Sequence, residues 1–372
     1  MTDHIKPLEG PSVWHGADLL RRTDWIETLA QHEIDEILAA AQAAADTGLD
    51  LFDIRKEHFP LPRLAERLAA ITRKLEDGPG LLVIRGLPAA SMTAAQIRYA
   101  YWGIGLHMGI PVSQSGKGEL MAQVSDIGVR FGAPGARGFR SNQALPFHTD
   151  RCDYVGLLCV RNALSGGWSR IVSSPAVHNE MLRRRPDLAE ALYQQFYMSW
   201  QGDEAPGSKP YYAAPIFGIR DGLFSLQLGP SYIRVAQEKW PELPRLTASQ
   251  IEAMTMLQEI AAELELTAPF AIGDIQFLNN HVTMHGRTAF EDDEDPAKRR
   301  MLLRLWLSSP IGRPLPREAE TLWGAVEPGQ PRGGVPAKDG WWRNVLARDR
   351  TGRDGTLHLT GEHDQRGEAA TS

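Results

Sequence analysis

The sequence predicts a mixed α+β fold, in which a double-sheet jelly roll or barrel is flanked by α-helices. Two observations favour this class. The first part of the chain carries helical apolar spacing, and the remainder carries many short apolar segments separated by Gly, Pro and Asn. A doubly wound parallel sheet would need regular alternation of strands and helices, which the sequence does not supply. No Gly-rich phosphate loop follows a predicted strand, so a nucleotide-binding fold is not indicated.

The N-terminal part, residues 1–110, is predicted to be rich in helices. Thr23 to Ala45 is rich in Leu, Ile and Ala and predicts a helix, with Thr23 or Asp24 as its cap. Leu61 to Leu75 has apolar residues at helical spacing. The apolar run from Leu81 to Ile84 predicts a buried strand, and Ser91 or Thr93 is expected to cap the next helix.

The jelly-roll core is expected over about residues 80–312, within a single domain that spans residues 1–330. Five short apolar segments predict its strands: Val155 to Val160, Ile171 to Ser173, Leu223 to Leu228, Asp274 to Leu278 and Met301 to Ser308. Two helical stretches interrupt them, Ala176 to Phe196 and Thr247 to Leu264. Residues 331–372 are rich in Gly, Pro and charge and predict a C-terminal extension that is partly flexible.

Composition excludes several classes of protein. Apolar residues make up 42% of the 372 residues and charged residues 23%, which is typical of a globular protein with a sizeable core. The formal net charge of −6 gives no basic excess for nucleic acid. No apolar run is long enough to span a membrane, and the N-terminus lacks the pattern of a signal peptide. With only two cysteines, Cys152 and Cys159, we expect a cytoplasmic protein.

A candidate metal motif lies at Leu145-Pro-Phe-His-Thr-Asp150. In an extended chain, residues i and i+2 point to the same face, so His148 and Asp150 can aim an imidazole and a carboxylate at one point. This pair is half of a 2-His-1-carboxylate facial triad, which leaves coordination positions open for other ligands. The motif is weak alone and needs a third ligand and an anchor for a cosubstrate.

The third ligand is expected in the segment from Gly273 to Phe290, which contains His281 and His285. A helix would place this i,i+4 pair on one face, as in zinc sites. Gly273, the adjacent pair Asn279-Asn280 and Gly286 favour instead a strand, a turn and a second strand. The two histidines are then not equivalent, and these residues alone do not decide between them.

An anion anchor is expected in the strand that starts near Arg300. The side chains on one face of this strand would be Arg300, Leu302, Arg304 and Trp306. Burying two arginines on an otherwise apolar strand is costly without anions, and guanidinium binds carboxylate through a two-pronged fork. We therefore expect one arginine to hold a dicarboxylate, although an edge strand with solvated arginines is the alternative.

The motifs in their order, HTD, GGWS, NNHVTMHGRTAFED and RMLLRLWL, resemble the TauD/TfdA group of Fe(II)/2-oxoglutarate dioxygenases from about Gly80 to Pro310. The resemblance implies a double-stranded β-helix, a jelly-roll core with added helices. It implies His148, Asp150 and His285 as iron ligands, with His281 outside the set in a role that stays open. Arg300 and Ser169 would bind 2-oxoglutarate, and Arg304 would contact an anionic group of the substrate. Tyr154 and Trp306 are further candidates for the substrate pocket.

The resemblance also implies the reaction. Fe(II), 2-oxoglutarate and O₂ would oxidise, most simply hydroxylate, a small anion-bearing substrate, with release of succinate and CO₂. Because Asp150 is present, where related halogenases have no carboxylate, we expect no halogenation. Two alternatives stay open: a zinc hydrolase built from His148, His281 and His285, and an inactive jelly-roll binding protein. Neither nucleic acid nor a membrane is expected as a partner, whereas a homo-oligomer is compatible with the sequence.

Overall fold

The computed structural model describes residues 5–128, 140–204 and 207–335. The predicted C-terminal extension therefore lies outside the described residues from 336 onwards. The helices are α1 (Gly16–Leu19), α2 (Gln31–Asp46), α3 (Leu64–Asp77), α4 (Ala94–Met108), α5 (Ser174–Arg184), α6 (Pro186–Ala191), α7 (Pro230–Lys239), α8 (Ala248–Leu264) and α9 (Glu320–Trp323). Within these ranges, no helix combines the length and apolar character needed to cross a bilayer.

The strands are short, as the sequence predicts. They are β1 (Ile26–Thr28), β2 (Leu81–Arg85), β3 (Ile110–Pro111), β4 (Met121–Val124), β5 (Leu145–His148), β6 (Tyr154–Arg161), β7 (Ser165–Gly166), β8 (Ser169–Ser173), β9 (Gln195–Ser199), β10 (Tyr211–Pro215), β11 (Phe217–Arg220), β12 (Leu223–Leu226), β13 (Leu266–Ala268), β14 (Ile275–Asn279), β15 (Thr283–Arg287), β16 (Phe290–Glu291) and β17 (Met301–Ser308).

Two main sheets carry the candidate site. The larger has seven strands in the order β1-β2-β14-β6-β17-β3, with β4 also paired to β17. The smaller has four strands in the order β13-β8-β15-β5. Apolar side chains from both sheets share one buried cluster, among them Leu81, Val83, Val155, Ile171, Leu266 and Trp306. The core of the jelly roll thus lies between two separately hydrogen-bonded sheets.

Helices cover the outer faces of both sheets. Residues of α2, α3 and α4 pack in one cluster with Leu158, Phe277 and Leu305 of the larger sheet. Residues of α5, α6 and α8 pack in a second cluster with Val172 and Met284 of the smaller sheet. The alternation of buried faces along β15 follows from this arrangement, because Met284 faces the helices while His285 faces the interior between the sheets.

Two predicted helices have different bounds. The stretch from Thr23 begins with a turn and strand β1, whose Ile26 pairs with Val83 of β2, so α2 starts only at Gln31. The stretch from Ala176 to Phe196 is split into α5 and α6, and Phe196 lies in β9. Arg185 between these helices is extended because Pro186 disfavours a helical conformation in the residue before it. Thr93, one of the two predicted candidates, caps α4, and Thr247 caps α8.

Candidate metal and cosubstrate site

The smaller sheet brings the three predicted metal ligands together. His148 ends β5 and pairs directly with His285 of β15, so the two imidazole centroids lie 4.4 Å apart. Asp150 follows two residues after His148. One potential ligand atom from each of the three side chains lies within 4.8 Å of the others. The predicted set of two imidazoles and one carboxylate is therefore assembled at one point.

Hydrogen bonds orient two of these groups. His148 Nδ1 lies 2.9 Å from the carbonyl oxygen of Pro146, an acceptor that favours the proton on Nδ1 and leaves the Nε2 lone pair for a metal ion. Trp306 Nε1 donates to Asp150 Oδ2 at 2.9 Å, and Arg304 Nη1 lies 3.4 Å from the same oxygen. Burial raises the pKa of Asp150, but Arg304 and the two histidines outweigh it and lower the pKa below its ordinary value.

His285 is held in its neutral form. Burial and the neighbouring His148 lower the pKa of His285 to about 3. An unprotonated imidazole keeps its lone pair for a metal at neutral pH. The buried Nδ1 of His285 has no hydrogen-bond partner among the described residues. The donor set of one carboxylate and two imidazoles fits a divalent iron ion.

Asn280 fixes the segment that carries Asp150. Its Oδ1 accepts the backbone N–H of Asp150 at 3.0 Å, and its Nδ2 donates to the Cys152 carbonyl at 3.0 Å. The turn between β14 and β15 is thereby tied to the HTD motif, although the two are 130 residues apart in sequence. This contact aligns the ligands of one strand with the ligand of the other.

His281 takes part in a different, structural network. Its Nε2 lies 2.6 Å from Asp153 Oδ1, and its ring packs against Trp323 at 4.8 Å. Arg332 Nε donates to the same Asp153 oxygen at 2.8 Å. Burial acts to raise the pKa of Asp153, but Arg332 and His281 lower it to about 2. The three-histidine zinc site is therefore not assembled, because His281 is bound elsewhere.

Arg300 is buried with part of its guanidinium unpaired. It is 4% exposed, and its Nη2 donates to the Gly167 carbonyl at 3.2 Å. Its buried Nη1 has no hydrogen-bond partner among the described residues. Burial lowers the pKa of Arg300 to about 10, which reflects the cost of desolvating a cation, and Asp292 offsets this cost only in part. An unpaired buried guanidinium of this kind fits a carboxylate ligand.

Three further residues complete this anion site. Ser169 of β8 is buried and pairs across the sheet with Arg287 of β15. The guanidinium carbons of Arg287 and Arg300 lie 4.6 and 5.2 Å from the Phe290 ring centroid, so two cations share one ring. Arg287 is not among the residues predicted from the sequence, although its position two residues after His285 places it on the same face of β15. Arg287 Nη2 donates to the Ser141 and Gln143 carbonyls, while its Nε and Nη1 lack partners among the described residues.

Gly167 leaves space for Arg300. Its φ of +70° favours glycine, and an added Cβ would lie 2.8 Å from Arg300 Nε. Gly166 also has a φ of +70° and pairs with Phe290. The GGWS motif thus connects β7 to β8 and also shapes the anion site. Ser169, its last residue, lies on the inner face of the smaller sheet.

Arg304 and Trp306 face the metal ligands, and Tyr154 does not. Arg304 Nε donates to Gln114 Oε1 at 2.7 Å, in addition to its contact with Asp150. Arg300 precedes β17, and the pairing of β17 with β6 shifts register between Met301 and Leu302. The two arginines therefore lie in different parts of the site, Arg300 beside Phe290 and Arg304 beside Asp150. Tyr154 donates to Glu76 at 2.7 Å within the helix-covered cluster.

The chain is similar in sequence to known oxygenases over most of its length. The family model for "Taurine catabolism dioxygenase TauD, TfdA family" matches residues 45–306. The chain is 31% identical to FR-33289 synthase of Streptomyces rubellomurinus, over 88% of this chain and 98% of the relative. It is 30% identical to the taurine hydroxylase-like protein SAT17 of Stachybotrys chartarum, over 80% of this chain and 79% of the relative.

Solved structures share the fold. An asparagine oxygenase bound to Fe(II), hydroxyasparagine and succinate superposes with a TM-score of 0.62 at 20% identity, over 82% of this chain and 98% of that chain. The non-haem iron oxygenase OrfP, bound to Fe and α-ketoglutaric acid, has a TM-score of 0.56 at 17% identity, over 77% of this chain and 95% of that chain. The two sheets are thus those of a double-stranded β-helix, and the chain belongs to the TauD/TfdA family of non-haem Fe(II) dioxygenases, which use 2-oxoglutarate and O₂.

Proposed function

We propose that His148, Asp150 and His285 bind the catalytic Fe(II), and that Arg300 and Ser169 bind the distal carboxylate of 2-oxoglutarate. The observation that carries this proposal is the clustering of the three ligand atoms within 4.8 Å. The unpaired Nη1 of Arg300, together with Arg287 on the same ring, supplies the positive charge that a dicarboxylate needs. We place Arg287 in this site as a further source of charge.

The bound ion would supply O₂ activation coupled to decarboxylation of 2-oxoglutarate, and the chain supplies positioning. Three protein ligands on one side of an ion leave coordination positions for a chelating cosubstrate and O₂. Trp306 and Arg304 hold Asp150 so that its carboxylate keeps one orientation. The apolar residues between the sheets exclude water from the reacting groups.

We propose a small, anion-bearing substrate and hydroxylation as the outcome. Arg304 lies beside Asp150 on the inner face of β17 and adds positive charge to the space where such a substrate would bind. The two similar oxygenases of known structure bind hydroxylated asparagine and hydroxylated arginine, which are small charged molecules. Residues 1–330 are proposed as the catalytic domain, extended to residue 335, because Arg332 is buried against Asp153.

Metal titration of ligand variants tests the proposal. The unaltered protein should bind one Fe(II) anaerobically, whereas Asp150→Ala and His285→Ala should lose most of this affinity. His32→Ala is the matched control, because His32 is exposed. Succinate release during a substrate screen then reports turnover. Full metal binding by both ligand variants, or equal loss in the control, would contradict the assignment.

A further inference from the structure

Another buried guanidinium, that of Arg151, lies in a place that the metal and cosubstrate sites do not use. Arg151 is 2% exposed, and its Nε, Nη1 and Nη2 have no hydrogen-bond partner among the described residues. Asp203 Oδ2 is 3.6 Å from Nη2, which is an ion pair but too long for a hydrogen bond. By contrast, Arg304 is bound to Gln114, and Arg332 is bound to Asp153.

Aromatic rings leave the donor edges of Arg151 available. The guanidinium carbon lies 5.0 Å from the Trp200 ring centroid and 5.3 Å from that of Tyr232. Such contacts stabilise the cation through the π-systems of the rings. They do not satisfy the N–H groups, which point outwards in the guanidinium plane. A planar fork of this kind matches the oxygens of a carboxylate, sulfonate or phosphonate.

One short loop connects this guanidinium to the metal site. Gln114 accepts from Arg304 Nε at 2.7 Å, and two residues later Gly116 N–H donates to Asp203 Oδ1 at 3.1 Å. The partners of Arg304 and Arg151 are therefore held by the same bend and turn, residues 114–117. Arg151 itself directly follows the ligand Asp150.

We propose that Arg151 binds the oxyanion group of the primary substrate, with Trp200 and Tyr232 fixing the plane of its guanidinium. This inference rests on the proposed function and names a substrate determinant for it. Arg304 is already held by Asp150 and Gln114, so it acts mainly in orienting the metal ligand. Asp203 is the internal competitor that the oxyanion of the substrate weakens or replaces at Arg151.

Calorimetric binding to the full chain tests the proposal without turnover. The probes share one aminoethyl skeleton: taurine, 2-aminoethylphosphonate and β-alanine carry an oxyanion, and ethanolamine is the control that lacks it. The oxyanion probes should bind anaerobically to the protein loaded with Fe(II) and 2-oxoglutarate, and also to the metal-free protein. Arg151→Gln should weaken this binding at least tenfold, and Arg151→Lys should weaken it less. The affinity for 2-oxoglutarate should change little in both variants.

Asp203→Asn is expected to tighten oxyanion binding, which is the opposite of the effect expected for Arg151→Gln. The amide can still accept the Gly116 N–H, but it no longer competes as an anion, so oxyanion binding should become tighter. A merely structural ion pair would not produce this gain. Failure of every oxyanion probe to bind, unchanged binding by Arg151→Gln, or weaker binding by Asp203→Asn would overturn the proposal. Intact binding of Fe(II) and 2-oxoglutarate in the same samples would show that the proposed function stands independently.

Discussion

Substitution of Arg300 is expected to change cosubstrate binding and protein stability in opposite directions. The Nη1 of its guanidinium has no partner among the described residues, and this NH2 group offers a carboxylate two N–H donors. Hydrogen bonds to charged groups contribute about 1.5–3 kcal/mol each. Arg300→Met should therefore cost about 3 kcal/mol of binding energy and weaken 2-oxoglutarate binding roughly 100-fold. The affinity of Arg300→Lys for 2-oxoglutarate should lie between those of the unaltered protein and Arg300→Met, because lysine keeps the positive charge but lacks the two-pronged guanidinium.

The same variant should not destabilise the protein without its ligand. Arg300 is a buried cation whose desolvation Asp292 offsets only in part, and an apolar side chain of similar length removes that desolvation cost. We expect the free energy of unfolding of the metal-free Arg300→Met protein to stay the same or to rise by about 1–2 kcal/mol. A loss of stability would mean that the guanidinium has structural partners.

Anaerobic calorimetry of 2-oxoglutarate with the Fe(II)-loaded protein measures the binding, and chemical denaturation measures the stability. Arg299→Met is the matched control, because Arg299 is the neighbouring, half-buried arginine and donates to the Asp293 carbonyl. A dissociation constant for Arg300→Met within about threefold of the unaltered value, under 1 kcal/mol, would refute the assignment of this site.

Three more substitutions probe other parts of the site. Gly167→Ala places a Cβ 2.8 Å from Arg300 Nε at a φ of +70°, so the same calorimetry should show about tenfold weaker 2-oxoglutarate binding with unchanged metal binding. Trp306→Phe removes the 2.9 Å donor to Asp150 and should weaken Fe(II) binding by about 10–100-fold in a metal titration. His281→Leu leaves Asp153 short of a donor and should lower the free energy of unfolding by about 2–3 kcal/mol in denaturant, while one Fe(II) still binds. Unchanged 2-oxoglutarate binding by Gly167→Ala, unchanged Fe(II) binding by Trp306→Phe, or loss of Fe(II) by His281→Leu would contradict these roles.

Much of the site could be predicted because its residues alternate along strands. The i,i+2 spacing in HTD predicts two ligands on one face, and β17 has the predicted bounds, Met301–Ser308. The choice between His281 and His285 could not be made from spacing, because it depends on long-range partners. His285 lies opposite His148, whereas His281 meets Asp153 and Trp323 from distant segments.

The missed features depend on contacts that local patterns do not encode. The stretch after Thr23 forms β1 because β2 offers a parallel partner, which overrides helix propensity in that stretch. Arg151 and Arg287 are buried with some N–H groups unpaired among the described residues, and a local sequence pattern shows neither the burial nor the missing partners. Residues 331–335 of the predicted extension belong to the described chain, and Arg332 among them is buried and pairs with Asp153. The expectation of partial flexibility for the extension remains for residues 336–372, outside the described part of the chain.

The most direct test of the central claim is the visible absorption of the anaerobic protein on addition of Fe(II) and then 2-oxoglutarate. Chelation of the ion by the 2-oxo acid should produce a weak charge-transfer band in the unaltered protein and in His32→Ala. The band should be absent in His285→Ala and should require far more 2-oxoglutarate in Arg300→Met. A full-strength band in His285→Ala, or none in the unaltered protein, would contradict the assignment of these residues as iron and cosubstrate ligands.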